Sequence, residues 1–128
     1  MKVNLILYVT DQKMSSAFYQ QVLQLAPVLD VPGMTEFSLT TDTVLGLMPI
    51  AGIRRLLGDA LPDPAQAAGV PRAEVYLTVD DPAAYHQRAL GAGARELSPL
   101  LSRNWGDEAA YSLDPDGHVL VFARRLKL

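Results

Sequence analysis

A chain of 128 residues with 49% hydrophobic and 20% charged side chains has room for one ordinary core and too little for two independent ones. Eleven basic residues against fourteen acidic ones leave a formal net charge of -3, and the basic residues are scattered apart from Arg54-Arg55 and Arg124-Arg125, which argues against a nucleic-acid partner. No apolar run approaches the ~20 residues of a membrane span, and the lack of cysteine removes disulfides, thiolate metal sites and a cysteine nucleophile together.

Met1-Lys2 runs straight into a strand pattern with no signal-peptide character, so a cytoplasmic location is expected. Over residues 3 to 10 Val3, Leu5, Leu7 and Val9 alternate with Asn4, Ile6 and Tyr8, the period of two of a strand whose aliphatic row lies under a helix. Asp11 is a good N-cap for that helix. Met14, Ala17, Phe18, Val22 and Leu25 fall on one 3.6-residue stripe, and Ala26-Pro27 closes it. Short strand patterns follow at 27 to 31, 34 to 41 and 43 to 50, divided by Pro32-Gly33 and by Thr41-Asp42.

Residues 52 to 72 carry Pro62, Pro64, Pro71 and three glycines, and read as a linker able to lie over a cleft as a flap, with a helical turn possible at Arg54-Arg55-Leu56-Leu57. The pattern then repeats. Asn4, Val9 and Asp11 stand opposite Glu74, Val79 and Asp81, and Ala17-Phe18-Tyr19-Gln20-Gln21-Val22-Leu23 answers Ala84-Tyr85-His86-Gln87-Arg88-Ala89-Leu90. A strand at 73 to 80, a helix at 82 to 91 and strands near 94 to 98, 108 to 113 and 118 to 125 complete the copy, with Asp114-Pro115-Asp116-Gly117 as a tight turn. The expected fold is α+β: one domain of two tandem βαβββ modules, 1–51 and 73–128, related by a pseudo-twofold, whose curved mixed sheets surround a cleft.

Such a duplicated chain resembles the vicinal oxygen chelate superfamily of glyoxalases, bleomycin resistance proteins and dioxygenases. The matching phrases are Leu7-Tyr8-Val9-Thr10-Asp11, Ala17-Phe18-Tyr19 and Val22-Leu23, then Thr78-Val79-Asp80-Asp81, Gly91-Ala92-Gly93-Ala94, Trp105-Gly106 and Asp114-Pro115-Asp116-Gly117. The resemblance implies a ligand cleft, often completed by a second subunit. In the metal enzymes of that group it also implies one divalent ion, held at places that look like Asn4, Gly46 or its neighbour Leu47, Glu74 and Val121 here. Only Glu74 is a credible ligand, and the last strand carries Val121 where the family usually has Glu. No metal or other cofactor is therefore expected.

The candidate ligand-binding residues are Asn4, Tyr8, Phe37, Met48, Glu74, Tyr76, Trp105 and Tyr111; no catalytic residue is assigned. Glu74 should face water and ligand or find a donor such as an Arg, because a lone buried carboxylate is costly. Asn4 offers directional hydrogen bonds, to a ligand or within the fold. Trp105, the single tryptophan, reads equally as a lid over a cleft or a plug at a sheet edge. Phe37, Met48 and Tyr111 lie on strands, where most such side chains are core and one or two line the cleft. His118 is expected to face solvent after its turn and His86 to sit exposed or half-buried on a helix; neither has a spaced partner for a metal pair.

These residues favour a metal-independent protein that encloses an apolar or aromatic small molecule, with antibiotic sequestration one role the resemblance implies. The rivals are a divalent-metal lyase, isomerase or dioxygenase, and a regulatory dimer without ligand. A homodimer is expected, because open sheets leave edges and an apolar cleft that a second copy can cover.

Overall fold

A computed structural model of the chain describes residues 1–127. The strand Val3–Val9 (β1) leads into the helix Gln12–Leu23 (α1), the strands Leu29–Val31 (β2), Met34–Thr40 (β3) and Thr43–Pro49 (β4), and the helix Ile50–Leu57 (α2). Two 3-10 turns, Gly58–Ala60 and Pro64–Ala67, precede Glu74–Thr78 (β5), the helix Pro82–Gly91 (α3), Arg95–Ser102 (β6), Asp107–Leu113 (β7) and Val119–Arg125 (β8). The βαβββ order occurs twice, in an α+β fold with two four-stranded mixed sheets ordered β1-β4-β3-β2 and β5-β8-β7-β6. No described helix is long and apolar enough to cross a membrane.

Contacts divide the chain into two compact units, Met1–Gln20 with Gln24–Ala68, and Gly69–Leu128 with Gln21–Leu23. In the first unit β1 pairs parallel with β4, and β3 runs antiparallel to β4. Leu7, Val9, Leu45, Leu47 and Phe37 form the helix side of this sheet and are buried. Tyr19 lies over them, its ring 5.0 Å from Phe18 edge-to-face and 6.5 Å from Phe37. Phe37 is thus core and lines no open face, contrary to the expectation. In register with Leu45, it points to the helix side, while its neighbours Glu36 and Ser38 take the other.

The inward stripe of α1 is also rotated from the expected one. Ser15, Phe18, Tyr19 and Val22 are buried whereas Met14, Ala17 and Leu25 are exposed. Both sets obey a 3.6-residue period; the aromatic pair takes the inside and the small serines let the helix approach the sheet. The helix stops before Pro27 because Gln24 adopts a left-handed conformation (φ 57°) and donates its N–H to Gln20 O at 3.0 Å.

Residues 52 to 72 hold more structure than a linker. Most of α2 falls there, with Ile53 buried, and Gly58 ends it at φ +54°. Arg54 reaches Asp63 at 3.2 Å, so one arginine of the Arg54-Arg55 pair is engaged within this segment. In the second unit β6 runs four residues beyond its expected end. It is an edge strand with register shifts around Ser98, which is where a sheet tolerates Pro99.

Both unit-opening helices start on an aspartate outside the helical conformation. Asp11 accepts from Met14 N at 2.9 Å and Asp81 from Ala84 N at 3.1 Å, each satisfying one orphan N–H of the first turn. Asp11→Ala and Asp81→Ala should each lower unfolding free energy by about 1 kcal/mol in urea denaturation, with the slope of the transition unchanged.

Candidate functional site

The sheet of the second unit has one face covered by α3 and a second face on which its own larger side chains lie over the smaller ones. Val75, Leu120 and Phe122 point to the helix side, where the ring of Tyr85 lies 5.0 Å from that of Phe122. Strand alternation sends Glu74, Tyr76, Val119, Val121 and Ala123 to the other side, and the antiparallel register places Tyr111 beside Val121 and Ala109 beside Ala123. Ala109, Val121 and Ala123 are wholly buried there, and Tyr76, Tyr111 and Val119 pack against them, half-buried. The result is a buried cluster of small aliphatic side chains with two tyrosines packed against it.

A polar chain fastens one end of this face. The Tyr76 hydroxyl donates to Asp107 Oδ2 at 2.6 Å and accepts from the Trp105 indole Nε1 at 3.0 Å. Arg125 Nη1 lies 3.5 Å from Asp107 Oδ1 and donates to the Trp105 carbonyl at 3.0 Å. Gly106 makes room for that guanidinium: at φ +93°, a Cβ there would stand 2.9 Å from Arg125 Nη1. Trp105 is therefore neither a buried plug nor a loose lid. Its polar edge is tied down while 48% of the residue remains exposed.

At the other side Arg103 lies with its guanidinium carbon 5.1 Å from the centre of the Tyr111 ring. Its Nη2 donates to Ala109 O at 2.7 Å, Ser98 Oγ at 2.8 Å and Pro99 O at 3.1 Å, and Nε to Ala109 O at 3.2 Å. Glu74 is exposed and has no hydrogen bond or ion pair among the described residues, so of its two expected states it takes the one facing water. Both tyrosines hold their protons above the ordinary value of 10.0. For Tyr76 desolvation comes first, then its bond to the Asp107 carboxylate; for Tyr111 desolvation comes first, then the charge of Glu74, partly offset by Arg103.

The open face of the first unit carries Asn4, Ile6, Tyr8, Gly46 and Met48, in register across β1 and β4. Asn4 Nδ2 donates to Glu36 Oε2 across a long 3.5 Å, a weak bond within the unit. Of the eight sequence-predicted site residues, Glu74, Tyr76, Trp105 and Tyr111 come together on the second unit and Asn4, Tyr8 and Met48 share this face. Arg103, Asp107 and Arg125 were not among them. Asp107 and Arg125 become partners only through ladder register, and the adjacency of Arg103 to Trp105 was the one available signal.

The places where the resemblance implies metal ligands do not fit a divalent ion. A Cβ on Gly46 would meet Ile6 Cγ1 at 3.1 Å and Met34 Sδ at 3.3 Å, Leu47 is buried on the helix side, and Val121 is part of the buried aliphatic cluster. That leaves an amide and one carboxylate, and among the described residues no three His, Asp or Glu side chains gather into a metal-binding group. His86 is not exposed or half-buried as expected: it is buried on the helix side, Nε2 2.8 Å from Glu96 Oε2, because α3 turns it inward beside Tyr85. His118 is half-buried rather than solvent-facing, its N–H held by Asp114 Oδ1 at 2.9 Å.

A recess of about 550 Å³ in the first unit lies between α1 and β2, with Gln12, Lys13, Gln20 and Asp30 in its wall. Its best-placed polar group is committed to the fold. The Gln12 amide donates to Val31 O at 2.8 Å and Thr35 Oγ1 at 2.9 Å and accepts from Gly33 N at 2.9 Å, clamping the helix to the β2–β3 hairpin.

Fold and face together define a protein of paired βαβββ units, each with one sheet face left open by its helix. The chain belongs to the Glyoxalase/Bleomycin resistance protein/Dioxygenase superfamily, whose family model matches residues 3–122. Uncharacterised proteins of Mycobacterium bovis and Mycobacterium tuberculosis are each 30% identical over 120 residues, spanning 88% of this chain and 75% and 67% of theirs. Among solved structures, a glyoxalase-related enzyme from Fulvimarina pelagi superposes with a TM-score of 0.82 at 22% identity, covering 98% of this chain and 88% of its own. A glyoxalase/bleomycin resistance protein/dioxygenase family enzyme from Burkholderia phytofirmans gives 0.79 at 21% identity, over 96% and 97% of the two chains. TioX from Micromonospora gives 0.69 at 20% identity, over 98% and 99%. At these identities the structures speak to fold alone.

The tyrosine environment has a pH signature. A group that binds its proton more tightly folded than unfolded adds stability below the unfolded pKa, and loses it as pH rises through the folded one. Two tyrosinates should therefore appear by ultraviolet difference absorbance only above pH 10.0, with stability falling over the same rise. Asp107→Asn should bring the Tyr76 titration back down.

Proposed function

We propose that this protein binds an apolar or aromatic small molecule on the open face of its second unit, without a resident metal. The single observation that carries the reading is the pair of partly exposed rings of Tyr76 and Tyr111, packed on the buried cluster of Ala109, Val121 and Ala123, with Trp105 held half-exposed beside them. Apolar and aromatic lining with a few fixed polar groups is what small-ligand sites are made of, and among the described residues the face offers no nucleophile–base pair. The poor donor set at Asn4, Gly46, Glu74 and Val121 supports binding over Lewis-acid chemistry. Sequestration of an antibiotic is one physiological use of such binding.

Because Trp105 is the single tryptophan, its emission reports directly on the face. Titration with planar aromatic compounds should quench or shift it saturably, and Tyr111→Ala should weaken binding about tenfold, the loss of roughly 1.4 kcal/mol of ring contact. Zn²⁺, Ni²⁺ or Mn²⁺ should leave affinity unchanged. Stoichiometric metal in protein purified without chelator, lost in Glu74→Ala, would replace this reading with the metal enzyme.

The proposal includes a homodimer. Val3, Leu5 and Ile6 are exposed on β1, an edge strand of the first sheet, and apolar edges of this kind are normally covered. Sedimentation at micromolar concentration should give twice the chain mass of 13.9 kDa, and a value near one chain removes this part of the proposal.

A further inference from the structure

The recess between α1 and the β2–β3 hairpin holds two opposite charges that the fold keeps apart. Asp30 stands opposite Thr35 in the ladder, so both side chains take the helix side of the sheet. The wholly buried Thr35 hydroxyl donates to Asp30 Oδ1 at 3.0 Å and accepts from the Gln12 amide at 2.9 Å. That relay fixes the carboxylate and leaves its Oδ2 without a partner among the described residues. Lys13 lines the same space from α1, and its ammonium has neither a hydrogen bond nor an ion pair among the described residues. Ser16, only 5% exposed, lines the recess as well; its Oγ accepts from Gln20 Nε2 at 3.1 Å and keeps its own proton to donate. Ala17, Val31 and Pro32 make the rest of the lining apolar.

We infer that this recess is a second binding site, built from other residues than the aromatic face and independent of the reading above, for a small zwitterion of the free α-amino acid class. Its ammonium meets Asp30, its carboxylate meets Lys13, and its apolar side chain lies against Ala17, Val31 and Pro32. The volume of about 550 Å³ is that of a small-molecule site, for which about 300–1,000 Å³ is usual. Charge decides the class. A ligand with one charge gains one attraction and meets one repulsion here, and the two largely offset; a zwitterion gains both attractions. The Gln12–Thr35–Asp30 relay holds the carboxylate in place before any ligand arrives, so binding loses little side-chain freedom on that wall, and the long rotatable stem of Lys13 adjusts on the other.

The test uses three probes with one carbon skeleton: L-leucine, 3-methylbutylamine, which lacks its carboxylate, and 4-methylpentanoate, which lacks its ammonium. Each is titrated into the isotope-labelled full-length protein and followed by the amide resonances of Lys13, Ser16, Asp30 and Val31. L-leucine should shift these saturably and bind about fivefold more tightly than either analogue, the size of one exposed charge contact. Lys13→Gln should cancel its advantage over 3-methylbutylamine, and Asp30→Asn, which keeps an acceptor for Thr35, its advantage over 4-methylpentanoate; thermal melts of both variants control for folding. Equal affinity for the three probes, an advantage that survives both substitutions, shifts confined to other residues, or no shift up to the solubility limit of leucine overturns the inference. A Lys13→Gln and Asp30→Asn double-mutant cycle in urea that shows the two charges stabilising each other without ligand overturns it as well, because the recess then closes on its own pair. None of these outcomes bears on the binding reading, which Trp105 emission tests on the second unit.

Discussion

Parallel pairing of the first and last strand of each unit is the constraint from which the other features follow. β1 lies beside β4 and β5 beside β8, in the same direction, so the chain must cross over between them, and a helix follows the first strand in each case. One helix covers one face of four strands, and the other face is left without a layer from its own unit. Side chains sent to that second face by strand alternation pack on one another, the small ones buried and the larger ones, such as Tyr76 and Tyr111, left partly exposed. The core of each unit, Phe37 with Tyr19 in the first and Phe122 with Tyr85 in the second, occupies the covered face.

That constraint explains why much of the fold was legible in the sequence. The repeated alternating strand ending in Asp reports the covered first strand and the cap of its helix, and both caps form the expected bond. Less legible was whatever depends on rotation or register rather than periodicity. The stripe of α1 is one case, because Met14 and Ala17 satisfy the helical period as well as Ser15 and Tyr19 do, and only the ring of Phe37 decides between them. Phe37 itself is another: a strand residue one position off lies on the opposite face. The helix α2 was partly hidden by Gly52 and the prolines beyond it, although only Gly52 lies within the helix.

The candidate site divides in the same way. Glu74, Tyr76, Trp105 and Tyr111 could be named from type and strand parity, since residues two apart share a face. The groups that hold them could not. Arg125 meets Asp107 only because β7 and β8 run antiparallel with those two residues opposite, and Gly106 is required there by the guanidinium it admits. His86 shows the converse limit, because a helix position beside a tyrosine carries no mark of the Glu96 partner contributed by the next strand.

The duplication also shows how two copies of one framework diverge. Asn4 and Glu74 occupy equivalent places on β1 and β5, yet their surroundings are built differently. In the first unit the amide has a long contact with Glu36, and the neighbouring strand carries Gly46, whose missing side chain is replaced by Ile6 and Met34. In the second unit the carboxylate has no ion pair among the described residues, and the neighbouring strands supply Val121 and Tyr111. A metal site needs donors from several such places at once, and the four here provide one amide, one carboxylate, a glycine already closed over by its neighbours and a valine in the buried cluster. Losing the valine position to apolar packing has a positive consequence. A glutamate at 121 would place a charge in the middle of a buried aliphatic cluster, whereas Val121 joins Ala109 and Ala123 as the apolar packing on which the tyrosines lie.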